Sequence, residues 1–205
     1  MHLSGHDNNN TIKGVKIVFA IPTTILKNIK VDPGFSKEKS LSIQNQSYGH
    51  VMKIAMQFQQ RFWNSNNSVG QRVFTDTPLR RVYHFSIDQP GPRGILLSFT
   101  SGSDALKLGG LSEKNRMNIS KESCKNIWNN SNDFWENGIS KYWNEDRWVK
   151  ASYSLKGIGQ KGYRGILAKA ENPFYFAGEH TAINYASMNG AIESGIRASD
   201  EIKMA

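Results

Sequence analysis

Lys53 stands in the middle of an alternating stretch, His50 to Phe58. On a strand, Met52, Ile54, Met56 and Phe58 share one face, and Val51, Lys53, Ala55 and Gln57 share the other. A lysine so placed either snorkels to water along its stem or is held where a cation is needed. A second stretch, Phe174-Tyr175-Phe176-Ala177-Gly178-Glu179-His180-Thr181, reads as a short buried strand, a glycine turn, a carboxylate and then a helix. Strand, turn and helix N-terminus together make an anion-tolerant site; plain core packing gives the same arrangement. In that helix Met188, Ala191, Ile192, Gly195, Ile196, Ser199 and Ile202 follow the spacing of one face. Gly190, Ala191 and Gly195 keep it thin, so another backbone or a flat ligand can come close.

Other signals are weaker. Gly157-Ile158-Gly159-Gln160-Lys161-Gly162 spells G-x-G-x-x-G with Glu179 downstream. A dinucleotide site needs a helix opening at the third glycine; here only a brief segment follows, and Asn172-Pro173 closes it. The motif is therefore not read as a dinucleotide site. His2, His6 and Asp7 lie in a polar terminus without a second cluster, so no metal site is expected. No Ser-His-Asp or Cys-His set follows from spacing, and the 5 tryptophans suit core packing.

These 205 residues allow one domain or two small ones. The single cysteine excludes a disulfide framework, and Met1-His2-Leu3-Ser4-Gly5 lacks the basic start and apolar core of a signal peptide. A cytoplasmic setting is expected. No apolar run approaches the roughly 20 residues of a membrane span. The net charge of +9 comes from scattered lysines and arginines, which reads as a solvated surface without nucleic-acid or membrane partners.

Positioning elements follow from pattern and punctuation. Val15 to Ile21 is an apolar strand stopped by Pro22, and Ser36 caps a short helix through Ile43. Val82 to Ser86 and Gly94 to Thr100 are strands joined by Gln89-Pro90-Gly91-Pro92. Ser120 to Trp135 is helical, with Cys124, Ile127, Trp128, Ser131 and Trp135 on one stripe; Trp148 to Leu155 is a strand.

Phe-Ala-Gly-Glu-His-Thr, followed by Met-Asn-Gly-Ala-Ile-Glu-Ser-Gly-Ile-Arg-Ala, resembles the C-terminal flavin-contact motif of the flavin-dependent amine oxidases. Tyr48 to Lys53, Thr75 to Pro78, Arg81 to Tyr83, Gly94 to Ala105 and Trp143 to Tyr153 extend the likeness, most closely to the L-amino acid oxidase branch. The resemblance implies an α/β fold. An α+β substrate domain with a mixed sheet, residues 36–145, would sit beside pieces of an FAD-binding domain at 15–35 and 146–205, after a polar lead-in at 1–14. It covers the C-terminal portion of such a two-domain flavoprotein. The family's strand–GxGxxG–helix unit has no counterpart here, so the expected partner is an N-terminal FAD-binding half. Without it, weak flavin binding, an exposed apolar face and self-association are expected.

The implied reaction is oxidative deamination of an amine or amino acid. Hydride goes to flavin N5, the imine hydrolyses, and O2 reoxidises the flavin to hydrogen peroxide. Lys53 matches the lysine that holds a water against N5. Glu179 matches the acid that hydrogen-bonds FAD, and residues Ala186, Ser187, Met188, Asn189 and Ala191 bring helix amides to the flavin. Trp148 and Ser152 fall in the segment returning to the flavin. Ser152 replaces the cysteine that links monoamine oxidases to FAD, which implies non-covalent FAD. Tyr153 keeps one side of the substrate cage, and Ser187 stands where an aromatic residue is common. Phe99 replaces a tyrosine that helps bind the substrate carboxylate, whose arginine partner would lie in the N-terminal half. The competing reading is a non-catalytic remnant or basic interaction module that keeps the substrate-domain fold.

Overall fold

The computed structural model describes residues 2–3, 12–64 and 72–205. In chain order the elements are β1 (His2–Leu3), β2 (Ile12–Lys13), β3 (Ile17–Phe19), α1 (Thr23–Leu26), α2 (Lys37–Asn45), β4 (Tyr48–Gly49), β5 (Val51–Phe58), β6 (Arg72–Phe74), β7 (Arg81–His84), β8 (Gly94–Ser101), α3 (Gly102–Gly109), α4 (Glu113–Ile127), β9 (Trp135–Tyr142), β10 (Ser152–Ser154), α5 (Tyr163–Ala168), β11 (Phe174–Phe176) and α6 (Met188–Met204). They form two units, Met1–Tyr48 with Tyr153–Ala205, and Gly49–Ser152. Among the described residues no helix is long and apolar enough to cross a membrane.

In the first unit β3 and β11 pair in parallel, Ile17 opposite Phe174 and Phe19 opposite Phe176. The Val15 stretch and the Phe174 stretch thus lie side by side. Phe19, Leu26, Ile43, Leu167, Phe174 and Phe176 form the core, with Phe35 edge-on to Phe19 at 5.5 Å. The helix α2, which the sequence places with the substrate domain, packs in this unit instead. Two polar anchors explain it. Ser36, its N-cap, donates from its backbone N–H to Glu171 at 2.9 Å. Lys39 is fully buried and donates to the carbonyls of Leu167 (3.0 Å) and Lys169, with its ammonium 3.6 Å from the Phe176 ring centre.

Burial lowers the Lys39 pKa from 10.5 to about 8. Between those values the unfolded chain binds the proton and the folded chain does not, so stability should rise with pH across this window. The gain is up to about 3 kcal/mol. Cys124, pushed up to about 12 by burial, acts in the opposite direction above its usual value near 9. The difference between wild type and Lys39→Met isolates the lysine: urea unfolding at pH 7.5 and 10 should show a rise specific to wild type. Equal pH dependence in the two proteins would sink this assignment.

The second unit is a five-stranded sheet in the order β6-β7-β8-β5-β9. The α/β class stands, but this sheet is antiparallel throughout, not mixed. The reason is the place of β5. The α3–α4 crossover returns the chain in the direction of β8, yet β5 lies between β8 and β9, so both neighbours of β5 oppose it. The face bearing Met52, Ile54, Met56 and Phe58 is buried with Ala105 and Leu108 of α3 and Cys124 of α4.

Two segments depart from the sequence pattern. The helix expected over Ser120 to Trp135 runs from Glu113 to Ile127, capped by Ser112, whose hydroxyl accepts from Asn115 N. The run Asn129-Asn130-Ser131-Asn132 favours local side-chain bonding over helix, and Trp135 opens β9. The strand expected over Trp148 to Leu155 shrinks to Ser152–Ser154. Asp146 organises a turn before it, accepting from Trp148 N at 3.0 Å, while Lys150 N bonds the Asp146 carbonyl at 2.9 Å.

Candidate functional site

The strand–turn–helix segment is assembled by three side chains. At Gly178 φ is +119°, a conformation that favours glycine, and its N–H donates to Ser194 Oγ at 2.8 Å. Arg197 ties α6 to the end of β11, donating to Phe176 O (2.8 Å), Thr181 Oγ1 (3.0 Å) and Ala168 O (3.0 Å). Glu179 accepts from Ser154 N (2.8 Å), Ser154 Oγ (2.7 Å) and Ala186 N (2.7 Å). Ala186 has a left-handed φ of +58°, which costs roughly 1–3 kcal/mol in a non-glycine residue. The Glu179 bond to its amide holds it there.

Glu179→Ala leaves two backbone N–H groups without this acceptor. The expected loss is about 2 kcal/mol, read by denaturant unfolding. Glu179→Gln should fall between, because one amide oxygen cannot replace both carboxylate oxygens. No loss in either variant would mean that water substitutes fully for the carboxylate.

The α6 helix carries two faces. Its buried stripe is Gly190, Ser194 and Ala198, whereas Met188, Ile192 and Ile196 point outward at 85%, 63% and 60% exposure. The apolar periodicity therefore marks the outer face, and a small-residue stripe seats the helix. Gly190 shows why: a Cβ there would run into the Asn184 carbonyl, while one at Gly195 meets nothing. Ser187 caps α6 by accepting from Gly190 N at 3.0 Å. Met188, Asn189 and Ala191 are exposed around this N-terminus. Tyr153, in the same unit, is partly exposed with φ of +25°.

In the second unit Lys53 lies on the sheet face away from the core, opposite Phe99 on β8 and Lys141 on β9. Its ammonium is 5.6 Å from the Phe99 ring centre. Lys141 is paired with Asp146 at 2.7 Å; Lys53 has no ion-pair partner among the described residues. The Arg81 guanidinium stands 5.3 Å from the Phe74 ring centre and 5.4 Å from that of Phe99. Phe74, Asp76, Arg81 and Phe99 line a cavity of about 560 Å³. Trp148 is exposed with the Arg147 guanidinium 4.1 Å above it, and Ser152 is half-buried in β10. Lys53 and Phe99 are thus brought together in one unit, and Glu179 with residues Ala186 to Ala191 in the other. Arg81, Arg197 and Ser194 were missed from sequence; only the basic character of the first two was visible there.

The G-x-G-x-x-G segment does open a helix at Gly162, but α5 has six residues and the preceding strand β10 has three. Such a unit is no dinucleotide fold. No group of three metal-ligating side chains exists among the described residues. His6 and Asp7 lie outside the described residues, as does the side chain of His2.

Comparisons with known proteins agree with this architecture. Residues 4–203 match the family model for flavin containing amine oxidoreductases. The chain is 27% identical over 201 residues to the flavin-dependent L-tryptophan oxidase RebO of Lentzea aerocolonigenes, covering 92% of this chain and 41% of that protein. It is 30% identical over 176 residues to an L-amino-acid oxidase of Siganus canaliculatus, covering 83% and 33%. A putrescine oxidase structure superposes with a TM-score of 0.86 at 20% identity, covering 97% of this chain and 45% of that one. The chain therefore spans less than half the length of these relatives. Family model, relatives and fold converge: the chain belongs to the flavin containing amine oxidoreductase family.

Proposed function

We propose that this chain forms the substrate-facing and C-terminal flavin-facing portion of an FAD-dependent L-amino acid or amine oxidase. It would work with an N-terminal dinucleotide-binding half. The observation that carries the reading is the Glu179 cradle, which fixes Ala186 and so presents the α6 N-terminus. The residues fit a flavin. The N–H groups of Met188 and Asn189 have no acceptor within the helix. Glu179 has used three of about four acceptor positions. Bound FAD would take a hydride from the amine-bearing carbon and pass the electrons to O2, giving hydrogen peroxide.

This chain's residues then have separate duties. Glu179 and the residues Ala186 to Ala191 bind and orient the cofactor, and Tyr153 shapes its surroundings. Ser152 offers no thiol, so attachment is non-covalent. Lys53 supplies a fixed positive charge that has no ion-pair partner among the described residues. Arg81, which lines the cavity with Phe99 and Asp76 and has no ion-pair partner among the described residues, supports an amino acid over a plain amine, since a guanidinium pairs well with a carboxylate. The outer Met188–Ile192–Ile196 stripe supports burial against the other half.

Co-expression with a GxGxxG-type domain tests the reading. The expected product is a yellow complex that releases FAD on unfolding and consumes oxygen with amino acids, whereas the chain alone keeps no flavin through gel filtration. A colourless complex sinks the proposal. Bound flavin without oxygen uptake would favour the non-catalytic module.

A further inference from the structure

The residues around the G-x-G-x-x-G segment form a site of their own. Lys156, Lys161 and Arg164 line a cavity of about 340 Å³ together with Tyr163, Tyr185 and His180, and no carboxylate of the described residues lines it. None of the three cations has an ion-pair partner among the described residues. Arg164 donates to the Ile183 carbonyl at 3.1 Å, and its guanidinium stands 5.7 Å from the Tyr185 ring centre. The loop that carries the lysines is held in place. Gln160 accepts from Gly157 N (3.0 Å) and Ser47 N (3.3 Å) and donates to the Asn45 carbonyl.

His180 is a second, independent feature. It is 6% exposed and lines the cavity, yet neither ring nitrogen has a hydrogen-bond partner among the described residues. The ring is therefore open to the cavity for a hydrogen bond. Burial lowers its pKa, while the charge of Glu179 acts to raise it. Glu179 is itself committed to Ser154 and Ala186.

We propose that this cavity binds a small organic phosphate. Three cations suit a doubly charged phosphomonoester better than a monocarboxylate, because the arginine fork and two lysine charges together match its oxygens. Tyr163 and Tyr185 offer a wall for the organic part, and the volume falls within the range of small-ligand pockets. The His180 ring completes the polar lining by hydrogen-bonding a phosphate oxygen. The inference does not depend on flavin binding.

The test is titration of the purified chain, without flavin and at 0.15 M salt, with phenyl phosphate, inorganic phosphate and acetate. Calorimetry should show one saturable site, tightest for phenyl phosphate and absent for acetate. The His180 ring resonances should shift with the same midpoint. Lys161→Gln/Arg164→Gln changes two exposed side chains and should weaken phenyl phosphate at least 10-fold with unchanged thermal unfolding. The control pair Lys114→Gln/Lys125→Gln on α4 should leave binding within twofold. Equal losses in both pairs, or a silent His180, would reduce the effect to nonspecific attraction by a chain of charge +9 and overturn the site. Inorganic phosphate binding as tightly as phenyl phosphate would overturn the organic part of the assignment.

Discussion

Lys53→Met, made in the flavin-loaded complex, should slow the oxygen-consuming half-reaction about 100-fold, equivalent to about 2.7 kcal/mol. Flavin reduction by substrate should stay within about threefold. The expectation rests on position. Lys53 projects from the middle of β5 on the face away from the core, above Phe99 and without an acidic partner among the described residues. In the proposed reaction a charge left uncompensated there would favour electron transfer to oxygen, because superoxide is an anion. Methionine keeps the bulk of the stem and removes only the charge. A lysine that merely reaches water would change neither rate, and stability would move by less than about 0.5 kcal/mol. Stopped-flow traces of the two half-reactions decide between these outcomes: unchanged reoxidation means that Lys53 has no part in the chemistry.

Arg116→Met should destabilise the protein by about 2–4 kcal/mol. Arg116 is buried at the base of α4, where it donates to the carbonyls of Leu108 (2.9 Å) and Gly109 (2.6 Å) and to Ser140 Oγ (3.2 Å). It also pairs with Glu145 at 3.0 Å. One guanidinium thus joins the end of α3, strand β9 and the turn beyond it. Methionine fills much of the space but leaves two carbonyls without this donor. Arg116→Lys should recover only part of the loss, since an ammonium cannot reproduce the planar fork. Urea unfolding monitored by tryptophan fluorescence provides the measurement. A loss under about 1 kcal/mol for Arg116→Met would show that water replaces the guanidinium.

The sequence by itself determined the features that repeat over short distances. The alternation from His50 to Phe58 assigned a strand and put Lys53 on the face opposite Met52, because side chains on a strand alternate. The Phe174–Thr181 stretch revealed strand, glycine turn and carboxylate in order, and with the following helix it carried the family resemblance. Ser36 announced the cap of α2 through side-chain chemistry alone.

Tertiary structure decided what depends on distant partners. Which face of α6 is buried could not be read from periodicity, since the stripe richer in apolar residues points outward and Gly190, Ser194 and Ala198 seat the helix. The polar strand β9 carries little β signal; it exists because β5 offers a free edge in register. Lys39 reaches a carbonyl 128 residues away, and Arg197 one 21 residues away. Nothing in the local pattern around either residue names its acceptor. Such bonds form because the parallel β3–β11 pair brings remote backbone together in a low-dielectric core, where an unpaired carbonyl is costly.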